Sequence, residues 1–65
     1  MTKSEAERLL NKYLKRHDKG YKDIIEIISY ETKIGFGFVC KYRNVEKPVL
    51  YGVLKNTKDV VLAPT

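Results

Sequence analysis

The chain has no tryptophan, one cysteine, one histidine and two prolines in 65 residues. A lone Cys40 excludes an internal disulfide, so the covalent staple of many small domains is missing. His17 and Cys40 form no C-x-x-C or H-x-x-x-H spacing, which leaves no tetrahedral ligand set for a metal. No stretch approaches the roughly eighteen apolar residues of a membrane-spanning helix. The first twenty residues are charged and amphipathic, without the apolar centre of a secretory leader. One unpaired thiol suits a reducing compartment. These absences lead to the expectation of a cytoplasmic protein with no cofactor and no membrane partner.

Residues 1–65 suffice for a single domain. A chain this short buries only about 60% of the surface its unfolded form exposes, so tight packing or self-association must compensate. The net charge is +5, and it is unevenly placed. Residues 1–22 hold seven bases against three acids, whereas residues 23–65 hold six against five. Such a bias bears on partners rather than on fold. It suits an acidic protein surface or nucleic acid.

Ala6, Leu9, Leu10, Tyr13, Leu14 and His17 recur at helical spacing and predict an amphipathic helix over about 4–18. Ser4 with Glu7 reads as a capping box, and Thr2 with Glu5 offers the same motif two residues earlier. Gly20 reads as the C-terminal stop. Beyond it, the isoleucine-rich stretch 23–31 reads as a strand, because β-branched side chains favour the pleated state. Its spacing also fits a helix. From Ile34 to Arg43 the alternation is strict, with Ile34, Phe36, Phe38, Cys40 and Tyr42 on one side. Strands over 49–55 and 60–63 follow, separated by the turn Asn56-Thr57-Lys58-Asp59. The expected fold is α+β, of order α-β-β-β-β, with the helix packed on a curved antiparallel meander.

No nucleophile–base pair marks an enzyme. His17 falls on the apolar helix face and Cys40 between Phe38 and Tyr42, where each has a structural role. The run Gly35-Phe36-Gly37-Phe38-Val39 resembles the centre of the RNA-recognition-motif signature, in which strand aromatics stack on bases. Ile34 and Lys41 stand where that signature has a basic residue and an aromatic. The plainer account of Gly35 and Gly37 is strand coiling or a close approach by another segment. The leucine face of the helix also needs a large apolar partner, and the Phe36–Phe38 side is the one available. That placement would leave only small and cationic groups on the other side. Lys15, Arg16, Lys19 and Lys22 cluster at the helix end, where they also complement its dipole. Lys41 and Arg43 are expected to form a second basic patch beside a shallow groove over Gly35 and Gly37. These six residues are the candidate partner-binding set.

The order of features resembles the immunity-protein-35 family of bacterial toxin-neutralising proteins. An amphipathic helix (Ala6, Leu10, Tyr13, Leu14) precedes an isoleucine-rich strand and the Gly-aromatic strand Gly35–Val39. A Pro-led apolar strand (Pro48-Val49-Leu50-Tyr51), a polar turn and Val60-Val61 complete the match. The chain lacks the tryptophan and the longer insertion typical of that family. The resemblance implies a non-catalytic inhibitor that occludes a partner protein, and the composition separately supplies five tyrosines, a residue enriched at interfaces. Two alternatives stand beside it. One is a nucleic-acid-binding or regulatory domain that uses basic residues and strand aromatics. The other, compatible with either, is a homodimer formed by edge-strand pairing or by sheet faces.

Overall fold

A computed structural model describes residues 1–62. Helix α1 spans Lys3–His17, and a short 3-10 turn at Tyr21–Asp23 leads into the sheet. The strands are β1 (Ile24–Glu31), β2 (Gly35–Tyr42), β3 (Val49–Leu54) and β4 (Val60–Leu62). All neighbours are antiparallel, in the order β1-β2-β3-β4, and the sheet stays open. The α-β-β-β-β order is therefore as the alternation implies. The expected end of the last strand at Ala63 lies outside the described residues.

Two local signals resolve differently from their sequence reading. Thr2, not Ser4, caps the helix: its side chain accepts from Glu5 N–H at 3.2 Å. At the other end Asp18 closes the helix in an extended conformation, and Gly20 keeps a negative φ, so no left-handed glycine cap forms. Asp18 Oδ1 instead accepts from Gly20 N–H at 2.9 Å. A side-chain acceptor here replaces the backbone turn that glycine would have enabled.

Ala6, Leu10 and Leu14 are the buried face of α1 and meet Phe36, Phe38, Cys40, Tyr51 and Val53 from β2 and β3. Phe38 is fully buried and Phe36 only 6% exposed, so both rings lie beneath the helix. Two members of the expected apolar faces fall outside this core. Ile34 precedes β2 and is 72% exposed. His17 is also exposed, with its ring 4.6 Å from that of Tyr13.

Residues directly opposite each other in an antiparallel pair share a face. The register of β2 against its neighbours therefore assigns the helix-free side. It carries Ile28 and Tyr30 from β1, Gly37 and Val39 from β2, Leu50 and Gly52 from β3, and Val61 from β4. The same register places Gly35, Leu54 and the Glu26–Lys41 pair there too, so the expected small and cationic groups are present, but aliphatic residues and Tyr30 from the neighbouring strands lie among them. The alternation within β2 did not reveal what β1, β3 and β4 contribute beside it.

Candidate functional site

The helix turns 100° per residue, and that spacing gathers Arg8, Lys12, Lys15 and Arg16 on the side of α1 opposite Ala6, Leu10 and Leu14. Lys19 and Lys22 continue the band past the helix end. All six are exposed. The ion pairs among the described residues are Lys3–Glu7, Lys41–Glu26, Lys55–Glu31 and Lys58–Glu5, so no carboxylate there lies within 4.0 Å of the six. The band is thus four cations on α1 and two in the segment that follows it, without a carboxylate partner among the described residues. Lys15 and Arg16 also sit in the last helical turn, where positive charge is favourable.

Of the second expected patch, both residues are exposed, but Lys41 is already paired. Lys41 faces Glu26 across the β1–β2 pair, with Nζ 3.2 Å from the carboxylate. Arg43 follows the end of β2, and its N–H donates to the carbonyl of Asp23 at 2.8 Å. This bond places the Arg43 backbone beside the 3-10 turn that holds Lys22. A shallow depression does lie over the glycines, lined by Gly35, Gly52, Leu54, Val61, Tyr30 and Gly37, but neither Lys41 nor Arg43 borders it, and the Tyr30 ring narrows it at Gly37. A β-carbon placed there would lie 2.2 Å from Cζ of Tyr30, whose ring covers the glycine. At Gly35 a β-carbon would lie 2.2 Å from the carbonyl oxygen of Val53, so backbone approach is what requires glycine there. Both roles match the close-approach reading of these glycines.

Behind the helix end a small polar network joins the layers. Tyr42 donates to Asp18 Oδ2, and Tyr51 packs close to both. Burial first, then the bond to Asp18, holds the Tyr42 phenol well above its ordinary pKa. Burial raises Tyr51 as well. Cys40 is fully buried, and burial aided by the Asp18 charge pushes its thiol up to about 11. A thiol so placed is protonated near neutrality and is a poor nucleophile. Of the five tyrosines, Tyr51 is buried, Tyr13, Tyr21 and Tyr42 are half-buried, and only Tyr30 is exposed. Tyr30 is the aromatic residue that the sequence did not single out for an outer surface. Its cross-strand position opposite Gly37 is visible only once the register is known.

No family model matches the chain, and no curated protein or solved structure is significantly similar to it.

Proposed function

We propose that the protein is a non-catalytic protein-binding module that covers an acidic surface of a partner protein, in the manner of an inhibitor or immunity protein. One observation carries this reading. Arg8, Lys12, Lys15, Arg16, Lys19 and Lys22 form an exposed band with no carboxylate within 4.0 Å among the described residues. Unpaired exposed cations, four of them on α1, steer an oppositely charged partner. The immunity-type reading rests in addition on the resemblance of the feature order noted above.

A nucleic-acid-binding reading uses the same band. It would operate chiefly through phosphates, because Phe36 and Phe38 lie under the helix and offer no ring to a base. Binding of that kind weakens log-linearly with salt, by about 0.9 per neutralised phosphate on duplex DNA.

Affinity capture from nuclease-treated extract separates the two. The tagged wild-type chain is compared with one carrying Lys15→Glu, Arg16→Glu, Lys19→Glu and Lys22→Glu. An acidic protein retained by the wild type and lost by the variant is the expected result. Capture abolished by nuclease transfers the assignment to nucleic acid.

A further inference from the structure

We infer that β1 is a self-association edge, and that two copies of the chain pair antiparallel through it. β1 and β4 are the two edges of the sheet, and β1 is the longer, with eight residues against three. An unpaired edge is a template for another strand, and proteins usually blunt it with lysine, proline or a covering element. Ile24–Glu31 contains neither lysine nor proline; its irregularity lies between Ile24 and Glu26, and its two charges, Glu26 and Glu31, flank the regular, uncharged run Ile27–Tyr30. The helix does not cover it either: a cleft lined by Glu7, Leu10, Asn11, Ile27, Ser29 and Phe38 separates α1 from β1. As a result β1 exposes apolar side chains on both faces, with Ile27 41% accessible on the helix side and Ile28 and Tyr30 each 45% on the other.

The hydrogen-bond phase of β1 fixes which groups point outward. Thr32 N–H donates to the Gly35 carbonyl at 2.8 Å, so Thr32 and Gly35 are a bonded pair. Bonded and non-bonded pairs alternate along an antiparallel ladder. Tyr30 and Ile28 are therefore bonded to β2, whereas the backbone groups of Ile27, Ser29 and Glu31 face away from it. A two-fold axis through Ser29 maps this outward set onto itself. It also sets Tyr30 of each copy opposite Ile28 of the other, an aromatic–β-branched pair of the kind that stabilises sheets.

Charge selects a second copy as the occupant. Three of the ion pairs surround β1: Lys41–Glu26, Lys55–Glu31 and, on the helix flank beside the cleft, Lys3–Glu7. This side of a +5 chain is locally neutral. Two copies meeting here bring no unpaired lysines together, whereas contact through the outer helix face would oppose six cations to six. A foreign strand of strong charge gains nothing at such a neutral edge.

The Ser29→Cys chain tests this register. In the proposed dimer the two introduced thiols lie across a bonded pair, within disulfide reach, and buried Cys40 does not compete. Oxidation with glutathione disulfide should convert Ser29→Cys to a covalent dimer, whereas a Thr57→Cys control in the β3–β4 turn should stay monomeric. Without any substitution, sedimentation equilibrium should show twice the 7.6 kDa chain mass at high concentration. Under those conditions the amides of Ile27, Ser29 and Glu31 should exchange at least about tenfold more slowly than at dilution. The inference is overturned by a wild-type chain that remains monomeric at about millimolar concentration. It is equally overturned by a dimer in which these three amides exchange freely, since that dimer uses another surface.

Discussion

Tyr42 donates its phenolic hydrogen to Oδ2 of Asp18, the residue that closes α1, and so ties the helix end to the end of β2. The other oxygen of Asp18 accepts from Gly20, so both are committed. A hydrogen bond to a charged acceptor contributes about 1.5–3 kcal/mol when shielded from water. This pair is only half-buried, so Tyr42→Phe should cost about 1–2 kcal/mol. Urea unfolding reads this directly, and an unchanged midpoint would show that the bond contributes nothing.

The same region sets an alkaline limit. Cys40, Tyr42 and Tyr51 all have pKa values raised above those of the unfolded chain. Their protonated forms are therefore favoured in the folded state, and the associated stability is complete below the unfolded values. For Cys40 it is lost as pH rises from about 9 to about 11. Urea midpoints should be steady up to pH 9 and fall above it, with a smaller fall in a Cys40→Ala chain relative to its own neutral value. At pH 8 a thiol reagent should modify Cys40 only as fast as the chain unfolds.

Gly35 and Gly37 should respond differently to alanine. At Gly37 the obstacle is the Tyr30 ring, which can swing away, whereas at Gly35 it is the backbone of Val53. Gly37→Ala should cost about 1–3 kcal/mol, and most of that should vanish in a Tyr30→Ala background. Gly35→Ala should cost more and find no such rescue. Equal coupling of both glycines to Tyr30 in the double-mutant cycle would contradict the placement of its ring.

Removal of the cap hydroxyl distinguishes two neighbouring candidates. Thr2→Ala should destabilise the chain by about 1 kcal/mol, because it frees the Glu5 N–H. Ser4→Ala lies inside the first turn and should be neutral within about 0.5 kcal/mol, or slightly favourable. Thermal melts of the two variants, followed by helical circular dichroism, give the comparison.

Periodicity carried the fold. The alternation of Phe36, Phe38 and Cys40 and the helical spacing of Ala6, Leu10 and Leu14 correctly identify the two surfaces that meet. The helix cap was ambiguous because Thr2–Glu5 and Ser4–Glu7 satisfy the same motif, and only the competition between them decides. His17 keeps the helical phase of the core residues, yet it is exposed, with its ring tilted against that of Tyr13. The basic band was largely legible, since four of its cations follow from spacing within α1 and the other two lie just past its end. The fate of Lys41 was not, because its partner Glu26 is set by the β1–β2 register, which is offset by an irregularity between Ile24 and Glu26. For the same reason the aliphatic character of the helix-free sheet side emerges only from the paired strands.

Zero-length carbodiimide cross-linking in nuclease-treated extract, read by mass spectrometry, tests the outer helix face most directly. Cross-links should run from Lys12, Lys15, Lys19 and Lys22 to carboxylates of an acidic protein, and Lys41, already paired with Glu26, should contribute few. Cross-links that spare those four lysines and arise instead from Lys33, Lys47 or Lys55 would place the partner elsewhere and contradict the account.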